Sequence, residues 1–95
     1  MSLKQAYEQK LKAQLDEWKT DIDKLKAQAD KAEADVQLEY YKQIESLREK
    51  QEAARNKLTE LEHAGEDAWE DLKAGIEIAW DDLRESIKSA TSHFK

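Results

Sequence analysis

Between Ala6 and Leu61 the chain contains neither proline nor glycine, and its apolar residues return every three or four positions. That spacing keeps one face of an α-helix apolar over the whole stretch, so the segment predicts a single, very long amphipathic helix. The stripe begins at Leu3, Tyr7, Leu11, Leu15, Trp18, Ile22 and Leu25 and continues through Ala29, Ala32 and Val36. It ends at Tyr40, Ile44, Leu47, Gln51, Ala54, Leu58 and Leu61. From Leu15 to Val36 the steps alternate three and four, as a heptad seam requires, whereas the steps Val36 to Tyr40 to Ile44 are both four and shift the register. The average step is about 3.6 residues, close to the natural helix period, which predicts only weak and uneven supercoiling. At about 1.5 Å per residue, such a helix would be roughly 90 Å long.

Ser2 is a candidate N-cap with Gln5 at capping-box spacing. Ala29 and Ala32 make a slim point where another helix can approach closely. Gln51 is a polar residue on the seam, read as a half-exposed layer. Tyr40 fits the seam and its neighbour Tyr41 falls on a flank. The outer faces mix both signs of charge, with Glu8–Lys12, Lys19–Asp23, Lys31–Asp35 and Arg48–Glu52 four residues apart. Such pairs add only a few tenths of a kcal/mol each and mark a solvated face.

The one candidate break lies at residues 63–67. Gly65 is suited to the left-handed conformation that ends a helix, and His63 would sit in the last turn, where a cation is mildly favoured. Asp67 and Glu70 have the spacing of a new capping box. A lone glycine can also ride inside a helix, and no proline enforces the stop; the turn is the reading adopted. Beyond it, residues 68–91 form a second amphipathic helix with an internal repeat. Ala68-Trp69-Glu70-Asp71-Leu72-Lys73 recurs eleven residues later as Ala79-Trp80-Asp81-Asp82-Leu83-Arg84. Eleven residues are almost three turns, so both copies face the same way. Trp69, Leu72, Ile76, Trp80, Leu83, Ile87, Ala90 and Phe94 form one stripe, and Ile78 falls on the opposite side. Gly75 lies on a flank.

Composition narrows the classes of function. Two fifths of the 95 residues are charged, cysteine and proline are absent, and the formal net charge is −6. No disulfide framework or cysteine-ligated metal is available, no apolar run is long enough to span a membrane, and the first residues lack the apolar core of a secretory signal. A cytoplasmic location is the resulting expectation. The acidic balance disfavours nonspecific nucleic-acid binding. His63 and His93 lie thirty residues apart and lack metal-ligand spacing. Asp81 and Asp82 diverge around the helix and cannot act as a facing carboxylate pair, and no glycine-rich phosphate loop exists. The sequence therefore offers no catalytic residue, cofactor site or metal site, and predicts a protein that is not an enzyme.

An apolar stripe on one helix needs something to cover it. The expected fold is all-α: a single domain over 1–95, with a long helix over about 3–62, a turn over about 63–67 and a shorter helix over about 68–91, folded as an antiparallel hairpin. A hairpin of such unequal arms leaves the N-terminal part of the long helix bare, including Trp18 and Ile22. Self-association into a coiled-coil-like bundle, as a dimer or tetramer, would cover it. The expected interface is Leu11, Leu15, Trp18, Ile22, Leu25, Val36, Tyr40, Ile44, Leu47, Leu58, Leu61, Trp69, Leu72, Ile76, Trp80, Leu83 and Ile87. This reads as a structural or scaffold protein that docks on itself or on another protein partner. The alternative is a reversible binder of a lipid surface or of client proteins, with a chaperone-like protective action. Trp69, Trp80 and Phe94 could anchor in lipid, but the acidic residues beside them would be repelled by anionic membranes, so a membrane-surface role is disfavoured.

The tail Glu66-Asp67-Ala68-Trp69-Glu70-Asp71-Leu72-Lys73-Ala74-Gly75 with Ala79-Trp80-Asp81-Asp82-Leu83 resembles a group of small bacterial coiled-coil proteins. So do Leu15-Asp16-Glu17-Trp18, Ile22-Asp23-Lys24-Leu25 and Ala29-Asp30-Lys31-Ala32-Glu33-Ala34-Asp35. The likeness covers nearly the whole chain, and its distinctive part is the tryptophan-containing tail. Members of that group are labelled coiled-coil or stress-response proteins without an assigned mechanism. The resemblance implies a bacterial, cytoplasmic protein and brings no catalytic or cofactor residue.

Overall fold

A computed structural model describes residues 2–94. The chain forms three helices of similar length: α1 (Leu3–Asp30), α2 (Ala34–His63) and α3 (Trp69–His93). All three touch one another in a bundle of about 51 × 20 × 18 Å. Helices α1 and α3 run parallel, and α2 returns between them. The expected hairpin of one long and one short helix is thus corrected: the segment read as a continuous helix is cut at Lys31–Glu33 and folds back on itself.

Nothing local in Lys31-Ala32-Glu33 forbids a helix, since all three residues are good helix formers. The break is set by burial. Reversing the chain there lets the stripe of α2 meet the stripe of α1, and most of the stability of a helix in a protein comes from such packing. The backbone groups freed by the break find other partners. The Lys31 and Ala32 N–H groups donate to the Gln28 and Ala29 carbonyls at 3.2 and 3.1 Å, and Val36 and Gln37 N–H donate to the Glu33 carbonyl. The Gln37 side chain donates from Nε2 to the Ala29 carbonyl at 3.1 Å, a cap supplied by the next helix. The end of α1 therefore has partners for carbonyls that a helix terminus otherwise leaves bare.

The other termini follow the sequence in part. Ser2 and Gln5 form the expected capping box, with Ser2 Oγ accepting from Gln5 N–H and Gln5 Oε1 accepting from Ser2 N–H, each at 3.1 Å. At the second turn the expected chemistry is absent. Gly65 does not have a positive φ; α2 ends instead on extended backbone at Ala64, and the Gly65 carbonyl accepts from the Ala68 and Trp69 N–H groups. Asp67 does not cap α3, whose N-cap position is Ala68 and carries no side-chain cap.

The core runs the length of the bundle. From α1 it takes Leu11, Leu15, Trp18, Ile22, Leu25 and Ala29; from α2 Ile44, Leu47, Ala54, Leu58 and Leu61; from α3 Trp69, Ile76, Trp80, Leu83, Ile87, Ala90 and Phe94. Alanines 29 and 54 are fully buried and let the helices approach. Aromatic pairs mark three levels. Tyr7 meets Trp69 with centroids 5.7 Å apart, Trp18 meets Trp80 at 6.4 Å, and Tyr40 stacks on Phe94 at 4.1 Å. The first two pairs join the parallel helices with the same sequence offset. Trp69 and Trp80 are the eleven-residue repeat, and Tyr7 and Trp18 are also eleven apart. Each rung carries its own cation: Lys73 Nζ lies 5.5 Å from the Tyr7 ring and Arg84 5.8 Å from the Trp18 ring. Among the described residues the buried Trp80 indole N–H meets no acceptor, a cost that the area of the ring outweighs.

Ion pairs between helices add register more than energy. Lys12 pairs with Glu62 at 3.0 Å, and Lys50 reaches Asp82 at 3.2 Å while donating to Ser86 Oγ at 2.6 Å. Glu8 consequently pairs with Lys4 and not with Lys12 as the spacing suggested.

Two outcomes follow in denaturation experiments. Trp18→Ala and Trp80→Ala should each lower stability by about 3–5 kcal/mol, and the double variant should fall short of the sum by about 0.5–1.5 kcal/mol, the value of the ring contact itself. Gly65→Ala should stabilise the chain by about 0.4–1 kcal/mol, because its φ suits alanine and a Cβ there would meet nothing within 4 Å. A left-handed Gly65 would give the opposite sign.

Candidate functional site

The residues expected to form an interface between chains are gathered into the core of one chain. Leu11, Leu15, Trp18, Ile22, Leu25, Ile44, Leu47, Leu58, Leu61, Trp69, Ile76, Trp80, Leu83 and Ile87 are buried, and Tyr40 and Leu72 are half-buried against them. Val36 is left outside at 40% exposure. Trp18 and Ile22 do not need a foreign chain to cover them, because the chain's own helices bury both. Trp69, Trp80 and Phe94 are also sequestered, so a lipid surface could reach them only if α3 lifted from the bundle. Gln51 is half-buried on the seam, as read.

Among the described residues, no group of three or more His, Cys, Asp or Glu side chains is placed to hold a metal ion. Among the described residues, no helix is long and apolar enough to cross a membrane. His63 is tied by Nδ1 to the Thr59 carbonyl at 2.8 Å, and His93 is the last residue of α3.

The most developed polar cluster sits where α1 turns into α2. Asp30 Oδ1 accepts from Lys26 Nζ at 2.7 Å and from the Tyr41 hydroxyl at 2.6 Å. Lys26 also lies over the Tyr41 ring at 5.2 Å. Asp30 is unfavourably placed at the negative end of the α1 dipole, and these two donors offset that. The hydrogen bond from Lys26, then that from Tyr41, holds the Asp30 carboxyl below its ordinary value. The same bonds to Asp30 raise the Lys26 ammonium and the Tyr41 phenol. The cluster is solvent-exposed and serves as a clasp on the turn.

Beside the clasp, along the α1–α2 seam, lies an open groove of about 690 Å³. Its floor is Ile44 and its end is Tyr41. Its rim alternates in sign, with Lys26 and Arg48 against Glu45, Glu49 and Glu52. Leu38, one turn before Tyr41 on the same side of α2, is 64% exposed. The sequence stripe missed Leu38 because it lies off the seam; its only signal is a large aliphatic residue at a position the helical period assigns to solvent.

No family model, no curated protein and no solved structure matches this chain. The class is thus defined by the fold alone: an all-α, three-helix bundle.

Phenol ionisation tests the clasp. The Asp30 contribution to stability is present above its unfolded pKa and is lost as pH falls through the depressed folded value. The contributions of Lys26 and Tyr41 are present below their unfolded values and are lost as pH rises through the raised folded ones. In an absorbance titration, Tyr41→Phe should remove a component that ionises above the ordinary phenol value of about 10. Asp30→Asn should shift that component down. Tyr7→Phe should remove a second late component, raised by burial first and by the nearby Glu77 charge second.

Proposed function

We propose that this is a non-enzymatic cytoplasmic protein that works through protein–protein contact, first of all with a second copy of itself, in a structural or stress-related scaffolding role. The observation that carries this reading is Leu38 exposed beside the groove over Ile44. In a two-fold pair, Leu38 of each copy would lie in the other's groove. The rim charges favour such a pair, because Lys26 and Arg48 on one copy could face Glu45, Glu49 or Glu52 on the other. Two-fold pairing is the commonest form of self-association. Each leucine side chain taken out of water contributes about 1.5–3 kcal/mol, so the pair is expected to be reversible. Apart from Ile44, which floors the groove, the stripe residues take no part in this contact, since they are committed to the chain's own core.

Sedimentation equilibrium across protein concentration tests the proposal. The chain should pass reversibly from monomer to dimer as concentration rises. Leu38→Glu should remain monomeric with an unchanged circular dichroism spectrum, since the side chain is outside the core. A wild-type chain that stays monomeric at the highest soluble concentration would sink the reading.

A further inference from the structure

The net charge of the chain is concentrated in one segment. Residues 66–88 carry eight carboxylates against three cations, a net of −5 out of the chain's −6. Carboxylates lie on both sides of α3, Glu77 and Asp81 among them on the side facing α1, but its cations lie on one side only. All three cations lie on the side facing α1: Lys73 over the Tyr7 ring, Arg84 over the Trp18 ring and Lys88 beside Trp18 and Asp21. The side turned away from the core holds no cation. There Asp71, Asp82 and Glu85 surround Ala74, Gly75 and Ile78, and all six are exposed. Among the described residues, the ion pairs of α3 are Asp81–Arg84 and Lys50–Asp82, which leaves Asp71 and Glu85 outside them.

Two features of this face have no use inside the molecule. Ile78 is 71% exposed at its centre, opposite the stripe that packs in the core. Gly75 weakens a helix that must hold a bundle together, yet a Cβ there would meet nothing within 4 Å, so no internal packing requires it. A small-residue step beside an exposed isoleucine is what a second helix needs to approach closely. The uncompensated carboxylates around it specify the charge of that helix.

We infer that the outward face of α3 docks a cationic amphipathic helix of another protein, with Ile78 as the apolar anchor, Ala74–Gly75 as the point of close approach and Asp71 and Glu85 as the charged rim. Association of helices through an apolar strip is a recurrent mode of recognition, and the rim sets rate and partner choice. The inference rests on the reading of this protein as a protein-binding module and uses a surface separate from the Leu38 groove.

The test uses the full chain and a synthetic peptide of about 18 residues, five helical turns, of lysine, leucine and alanine patterned as an amphipathic helix. A second peptide of the same composition, scrambled to destroy the apolar face, is the control. Fluorescence anisotropy should show saturable binding of the patterned peptide and much weaker binding of the scrambled one. Ile78→Ser should weaken binding by about tenfold. Asp71→Asn with Glu85→Gln should weaken it and flatten its dependence on salt. Gly75→Leu should raise the melting temperature of the chain while abolishing binding, a combination that a merely structural glycine would not give. Leu38→Glu should leave peptide binding intact, so a failure of self-association and a failure of this face read separately. Equal binding of both peptides, or binding indifferent to Ile78→Ser and Gly75→Leu, would overturn the proposal. A shift in the sedimentation of the chain caused by Ile78→Ser alone would assign the face to a second copy and also overturn it.

Discussion

The contact between Trp18 and Trp80 can exist only if the chain reverses direction twice. The two rings sit on parallel helices, and parallel neighbours in one chain need a return segment between them. Helix α2 is that segment, and both turns, the clasp at Asp30 and the burial of α1 follow from it. Each helix alone is a half-apolar rod, marginal in water. Together they enclose a continuous core in which every large apolar residue of the three stripes faces another, apart from Val36 and Leu3 near the helix ends.

The reversal at Lys31–Glu33 sets two scales of energy against each other. Continuing the helix would keep a few backbone hydrogen bonds and leave a ribbon of leucine, isoleucine and tryptophan in water. Breaking it costs those bonds, most of which Gln37 and the turn amides replace, and buries the ribbon. With burial worth about 1.5–3 kcal/mol for each large side chain, the second arrangement wins without any residue that terminates helices.

That balance also explains what could be read in advance. The apolar stripes were legible, since a period of 3.6 residues leaves a direct trace in the sequence, and most residues on them are buried. The capping box at Ser2 and Gln5 was legible because it is local. The break was not, because its cause is the packing of the α2 stripe back onto the α1 stripe, between residues far apart in the sequence. Its only local traces were the paired four-residue steps at Val36, Tyr40 and Ile44 and the disproportion between a sixty-residue stripe and the short helix left to cover it. Reading that disproportion as a demand for a second chain missed that the long stripe could cover itself. Gly65 misled for the opposite reason: glycine permits a left-handed turn without requiring one, and extended backbone at Ala64 does the work. Of the candidate site, the residues of the stripe were found but assigned to contact between chains. Leu38 and the Asp30–Tyr41 clasp went unseen, because no periodicity points to an outward leucine or to a hydrogen bond between residues eleven apart.

The duplicated aromatic rungs have a further consequence. Tyr7–Trp69–Lys73 and Trp18–Trp80–Arg84 are near copies, so sliding α3 along α1 by one repeat, about 16 Å, would set Trp80 on Tyr7 and Arg84 close behind it. The slipped alignment keeps one aromatic rung of the native two, with Trp18 left opposite Thr91, so the parallel pair disfavours it without excluding it. The rest of the distinction falls to α2: the short connection from Ala64 to Ala68 limits the travel, and Lys50, held by Asp82 and Ser86, works as a detent for one position. In a bundle built on a repeat, the helix with the weakest repeat acts as the vernier.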